Sequence, residues 1–189
     1  MKKLVCVLGS PRAGGNSETI AIRLVDKAKQ LGATTECFRL HDMTLKGCSG
    51  CMGCKTQSDS CVVQDDMKSV LDAVAGADAV VLTSPIYFGQ ISGQLKCFVD
   101  RTFSYLVPDF FKTSNPSRLQ PGKKLALILT QGDPNESAHN IAPEYEEIFK
   151  FMGFETYSLR GLGLGAPTDA AGRAELLKEA EALAGKLLS

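Results

Sequence analysis

Four cysteines, Cys48, Cys51, Cys54 and Cys61, fall within fourteen residues in the pattern C-x2-C-x2-C-x6-C. Two intervening residues let successive thiolates converge on one centre, and a short further loop brings round a fourth, as in four-cysteine sites that hold iron–sulfur clusters. Electron transfer is the first chemistry this implies. The same thiols admit two other readings. Zinc is one, although structural zinc draws its ligands more often from two separated C-x2-C-like pairs. A thiol–disulfide switch, using Cys51 and Cys54 for example, is the other. Val62 follows Cys61 where a bacterial ferredoxin run has proline, so the motif is not an inserted ferredoxin. Cys6, Cys37 and Cys97 lie in an apolar strand, a strand and a helix, and read as small apolar residues.

Three further segments carry polar or planar chemistry. Gly9-Ser10-Pro11-Arg12-Ala13-Gly14-Gly15-Asn16-Ser17 joins an apolar run to a helical pattern. It supplies hydroxyls and backbone N–H groups at a helix N-terminus, which suits a phosphate. It lacks both the Gly-Lys-Ser/Thr ending of a P-loop and G-x-G-x-x-G spacing, so a monophosphate fits better than a triphosphate or pyrophosphate. Ser84-Pro85-Ile86-Tyr87-Phe88-Gly89-Gln90 offers aromatics beside a glycine, a wall for a planar ligand. Thr130-Gln131-Gly132-Asp133 offers small polar groups for the edge of a ring. His41 and His139 read as solvated surface residues, and Asp65-Asp66 as the cap and dipole partners of the helix they open. Arg101 reads as one half of an ion pair outside the site. No residue stands out as a catalytic acid or base.

Helical and strand patterns alternate along the chain in a way that would bring these segments together. Strands are expected at Lys3–Leu8, Thr34–Leu40, Ala79–Thr83, Lys124–Thr130 and Phe154–Leu159. Helices are expected from Asn16 or Ser17 to Leu31, after Asp65-Asp66, over Gly93–Leu106, Glu144–Met152 and Asp169–Leu188. Ala79 to Thr83 is almost wholly apolar, as a strand buried on both faces should be. The alternation implies one α/β domain spanning residues 1–189, a parallel sheet covered by helices. Loops leaving the carboxyl ends of its strands share one edge, where open α/β sheets bind ligands. The cysteine loop, about 41–63, lies there too. Pro108 to Gly122 reads as a long surface loop serving as a lid or subunit contact.

Lys plus Arg and Asp plus Glu both number 21, so the formal charge is zero. No block of like charge marks a nucleic-acid or anionic-membrane footprint. The apolar run after Met1-Lys2-Lys3 is too short for a signal peptide or a membrane span. The expectation is a cytoplasmic protein whose partners are small molecules. In that reducing compartment clustered cysteines are metal or redox sites rather than a disulfide framework.

Taken in order, the motifs resemble the flavodoxin-like NAD(P)H-dependent FMN reductase family and, more narrowly, its iron–sulfur flavoprotein branch. The resemblance rests on Gly9-Ser10-Pro11-Arg12 with Gly15-Asn16-Ser17 and on the compact cysteine motif followed by Asp65-Asp66-Met67. Ser84-Pro85-Ile86-Tyr87-Phe88 and Leu95-Lys96 with Asp100-Arg101 complete it. It implies a three-layer fold with helices on both faces of a five-stranded parallel sheet in the order 2-1-3-4-5, and FMN at the sheet's carboxyl edge. By that resemblance Ser10, Arg12, Asn16 and Ser17 hold the FMN phosphate, Pro85, Ile86, Tyr87 and Phe88 border the isoalloxazine, and Thr130, Gln131 and Gly132 approach its other side. Cys48, Cys51, Cys54 and Cys61 would hold a 4Fe-4S cluster, although flavin reductases of this family also keep cysteines in this loop without one. NAD(P)H or a carrier such as ferredoxin would donate electrons to a homo-oligomer, dimer or tetramer. The alternatives are a non-enzymatic flavodoxin-like electron carrier, against which the neutral charge argues, and a thiol or metal sensor.

Overall fold

The computed structural model describes residues 1–189. Strands β1 (Lys3–Leu8), β2 (Thr34–Arg39), β3 (Ala79–Tyr87), β5 (Lys124–Thr130) and β6 (Glu155–Gly161) form a parallel sheet in the order β2-β1-β3-β5-β6. Counting parallel strands alone, this is the 2-1-3-4-5 order. A sixth strand, β4 (Gln90–Ile91), was not expected. Strand β3 runs four residues past Thr83 and β4 pairs back on it antiparallel, Ile86 opposite Ile91 and Tyr87 opposite Gln90. The segment read as a loop is therefore a hairpin, turned by Phe88 and Gly89, both at positive φ.

Helix α1 (Asn16–Gln30) buries Ile20, Leu24 and Ala28, a repeat of four that places one stripe against the sheet. With α6 (Ala174–Leu188) it covers one face over a core built on Leu4, Cys6, Leu8, Val81 and Ile128. Helices α3 (Met67–Ala75), α4 (Gly93–Arg101) and α5 (Ala142–Phe151) cover the other, over Val5, Val7, Val80, Leu82 and Leu127. Alternate residues of β1 thus enter opposite cores, as a central strand requires. The short helix α2 (Gly53–Thr56) interrupts the cysteine loop. Helix α4 stops at Arg101 and continues as a 3-10 turn, Thr102–Tyr105. A separate 3-10 turn, Asp169–Gly172, precedes α6. No helix is long and apolar enough to cross a membrane.

Candidate functional site

Three of the expected loops meet at the carboxyl edge of β1, β3 and β5 in a cleft of about 180 Å³. Ser10, Arg12, Gly15, Asn16, Ser17, Pro85, Ile86, Tyr87, Thr130, Gln131 and Gly132 all line it. Phe88 does not: its side chain is fully exposed at the hairpin tip. The residues that complete the cleft and were not expected are Leu164, Gly165 and Pro167, from the loop after β6. The signal for them was present, since that loop also leaves a parallel strand's carboxyl end and carries Gly163, Gly165 and Pro167.

Close backbone approach builds the first wall. Gly9 N–H donates to Thr83 O at 2.8 Å, and Ser92 Oγ donates to Gly9 O at 2.6 Å. A Cβ on Gly9 would stand 2.8 Å from both Leu95 Cβ and Thr83 O, so glycine alone fits. Ser10 Oγ accepts from Arg12 N–H at 3.1 Å and shapes the turn. Gly15 is the N-cap of α1 and no side chain caps the helix. The first intrahelical bond runs from Thr19 N–H to Gly15 O, which leaves the N–H groups of Asn16, Ser17 and Glu18 without helical partners. Such a helix start attracts an anion.

Glu18 and Arg39 support this loop, and sequence reading passed over both. Glu18 accepts from Gly14 N–H at 2.8 Å and from two nitrogens of the Arg39 guanidinium. Burial opposes ionisation of Glu18, but the Arg39 and Gly14 hydrogen bonds and the Arg39 charge outweigh it and hold the carboxyl below its ordinary range.

Two expected ligands have their side chains committed elsewhere. Asn16 Nδ2 donates to Ala166 O at 2.7 Å, and its Oδ1 accepts from Ala170 N–H at 2.9 Å, stapling α1 to the loop after β6. Gln131 Nε2 donates to Asp133 O and Ala138 O, while its Oε1 accepts from Arg160 at 3.0 Å. Both can offer the cleft only main-chain groups.

The four clustered cysteines line a second, enclosed cavity of about 30 Å³ with Val62, Asp100, Arg101 and Phe103. Cys48 and Cys51 are exposed, Cys54 is buried and Cys61 is half-buried. No group of three or more cysteine, histidine or acidic side chains is arranged to hold a metal ion. The residue types nevertheless suit a cluster: four cysteines border one small cavity, and Arg101 Nε donates to Cys61 Sγ at 3.0 Å. Hydrogen bonds from Gly53 N–H and the Ser49 side chain draw the Cys51 thiol below its usual range.

Arg101 organises this loop. Its guanidinium pairs with both oxygens of Asp65 at 2.9 and 3.0 Å and donates to Lys46 O and Val63 O. The expected ion pair is present, with Asp65 as the acid. Asp65 accepts from Met67 N–H at 3.2 Å at the start of α3, whereas Asp66, the N-cap residue, makes no side-chain cap, against expectation. The two carboxylates also accept from Lys46 N–H and Thr44 N–H, closing the loop's two ends together. His41 and His139 are exposed, as expected, but Cys37 is exposed too, against the expectation of an apolar packing residue.

A doubly wound α/β fold with an uncapped helix start at its switch edge defines a flavodoxin-like class of protein. The NADPH-dependent FMN reductase family model matches residues 2–153, and the chain belongs to that family. An iron–sulfur flavoprotein of Methanocaldococcus jannaschii is 36% identical over 100 residues, 53% of this chain and 51% of that protein. A second, from Methanosarcina thermophila, is 33% identical over 100 residues, 53% of this chain and 52% of its own length. The chain therefore spans about half the length of these curated relatives. A Bacillus subtilis protein described as an NAD(P)H-dependent FMN-containing oxidoreductase is 28% identical over 169 residues, 86% of this chain and 84% of that protein. The structure of an FMN-dependent NADH-azoreductase from Bacillus anthracis, in complex with FMN, superposes with a TM-score of 0.75 at 17% identity, covering 100% of both chains. That likeness shows the fold.

Proposed function

We propose that this protein is an FMN-dependent oxidoreductase that takes electrons from NAD(P)H, and that its cysteine loop, which lines a separate cavity at the far end of α4, is a second electron-transfer site. The observation that carries the flavin assignment is the uncapped start of α1, opening into a cleft shared by the loops after β1, β3, β5 and β6. The N–H groups of Asn16, Ser17 and Glu18, with the hydroxyls of Ser10 and Ser17, would hold the FMN phosphate, and Arg12 at the rim would add a charge. At about 180 Å³ the cleft is smaller than the ~300 Å³ of a whole small-molecule site, so it suits the phosphate and ribityl end. The ring would lie outward, with Pro85, Ile86 and Tyr87 on one side and the main chain of Thr130 to Gly132 on the other. Bound FMN supplies hydride acceptance from a nicotinamide and release of electrons one at a time. The chain positions it and needs no acid or base of its own for the hydride step.

The four cysteines lining one cavity, with an arginine on Cys61, favour a 4Fe-4S cluster as the second electron site. Names of relatives point the same way. The cavity has room for about one water. A cluster is larger than this space, so the loop would have to open for the same four residues to hold it. A one-electron carrier such as ferredoxin would be the partner. The apolar groove of about 730 Å³ between α4 and α5, edged by the exposed Phe111 and Phe151, is the face we assign to a second copy in a dimer or tetramer.

Anaerobic purification followed by an absorption spectrum, with FMN, iron, sulfide and zinc assays and NADH and NADPH oxidation rates, tests the whole reading. Stoichiometric FMN with nicotinamide turnover is expected. Flavin without turnover would replace the enzyme by an electron carrier, and absence of flavin would overturn the assignment.

A further inference from the structure

Cys6 and Cys37 stand directly opposite one another in the parallel pairing of β1 with β2. Neighbouring strands lie ~4.7–4.9 Å apart, within the ~4.4–6.8 Å between Cα atoms over which disulfides form. Both residues are free thiols, Cys6 fully buried and Cys37 exposed. Cys6 packs in the α1 core with Leu4 and Leu8. Strand β2 is the outermost of its sheet, bonded only to β1, so no further strand resists a small inward shift. The two thiols also perturb each other. Hydrogen bonding to Cys37 and burial push the Cys6 thiol well up, while the contact with Cys6 and then the Lys29 charge draw Cys37 down. The exposed member is thus the better nucleophile, and the dry member waits behind it as a neutral thiol.

We propose that Cys6 and Cys37 form a peroxide-responsive pair that closes into a disulfide between β1 and β2, distinct from the cysteine loop. In the first step the Cys37 thiolate attacks one oxygen of hydrogen peroxide. The O–O bond breaks, hydroxide leaves and is protonated to water, and Cys37 becomes a sulfenic acid. The Cys6 sulfur then attacks the Cys37 sulfur, the S–O bond breaks, and the departing hydroxide takes the Cys6 proton and leaves as water. Two thiols lose two electrons and one peroxide becomes two waters. A dithiol reverses the change by exchange.

The test uses the full chain in its native state, treated with hydrogen peroxide, then freed of peroxide and unfolded in excess N-ethylmaleimide so that the buried Cys6 is blocked with the other remaining thiols, and digested with trypsin without reductant. The expected product joins the peptide Leu4–Arg12 to the peptide Gln30–Arg39, lighter than their sum by two hydrogens and separated by dithiothreitol. In Cys37→Ser the linked peptide is absent and Cys6 stays reduced. In Cys6→Ala, Cys37 accumulates as a sulfenic acid that dimedone traps several-fold more than in the wild-type chain. Recovery of Cys37 as a sulfinic acid, or joined to a loop cysteine while Cys6 stays reduced, overturns the proposal. So does equal dimedone labelling in Cys6→Ala and wild type.

Discussion

Replacing Arg101 with methionine keeps most of the side chain's bulk and removes the only charged partner of Asp65. The two side chains are 0% and 1% exposed, so the carboxylate left behind has no water to turn to. Stripping one partner from a buried pair costs about 3–5 kcal/mol. In a chain of this length each kcal/mol moves the melting temperature by about 2–4 °C, so the variant should melt roughly 6–20 °C lower. Urea unfolding of FMN-free protein measures the loss directly. Asp65→Asn in the Arg101→Met background removes the stranded charge, so the double variant should recover part of the deficit, with a coupling energy above about 1.5 kcal/mol. The pH dependence supplies the sign. In the wild-type chain burial opposes ionisation of Asp65, but the Arg101 hydrogen bonds, the Lys46 N–H and the Arg101 charge hold its carboxyl below the ordinary range. That stabilisation is complete above the ordinary aspartate value of about 3.9 and is lost as pH falls through the lower folded value. In Arg101→Met burial acts unopposed by a cation and raises the carboxyl, so the variant's deficit should be largest at neutral pH and shrink on acidification. A deficit under about 1 kcal/mol, independent of pH and additive with Asp65→Asn, would show that the pair contributes no more than a surface ion pair.

Ser17→Asp places a carboxylate at the uncapped helix start, where it would repel the FMN phosphate. Its FMN dissociation constant should rise at least about tenfold, roughly 1.4 kcal/mol, and an unchanged flavin titration would remove Ser17 from the phosphate site. Cys51→Ser should abolish broad absorbance near about 400 nm in anaerobically purified protein while leaving the flavin bands in place. Loss of both signals would instead mark the loop as structural support for the cleft. Gly9→Ala drives a methyl group into Leu95 Cβ and the Thr83 carbonyl, each 2.8 Å away. A destabilisation of about 1–3 kcal/mol is expected in urea unfolding, and a neutral result would mean that β1 and β3 can separate there without cost. Glu18→Gln weakens the carboxylate bridge between Arg39 and the Gly14 N–H, so FMN affinity measured by fluorescence quenching should fall although neither side chain lines the cleft. Wild-type affinity in this variant would leave the pair with no role in shaping the loop.

Strand and helix positions were legible because each depends on residues a few places apart. The repeat of Ile20, Leu24 and Ala28 marks α1, and the almost wholly apolar run Ala79 to Thr83 marks the central strand. Ligand-edge geometry was legible as well, since parallel strands oblige their following loops to share a side. The hairpin of β3 and β4 was harder to see. Tyr87-Phe88-Gly89-Gln90 has the composition of a loop, and its pairing became visible only with Phe88 and Gly89 at positive φ and Tyr145 donating from α5 to Gln90 at 2.8 Å.

Residue identity and spacing by themselves determined which groups this chain can bring to a ligand: a glycine- and serine-rich turn before a helix, a planar wall, and four closely spaced thiols. Only the tertiary structure decided which of those groups are free. Asn16 and Gln131 have the right chemistry for the cleft, but Asn16 spends its side chain on backbone groups of the loop after β6, and Gln131 spends its own on carbonyls of its own loop and on Arg160. Cys6 and Cys37 are thirty-one positions apart and become neighbours through the register of β1 and β2. Arg101 reaches both ends of the cysteine loop from another helix. The physical reason is common to all three. Secondary structure follows from short-range sterics and periodicity, whereas competition for a hydrogen bond, a counter-charge or a neighbouring sulfur is settled by groups that meet only when distant strands and helices pack.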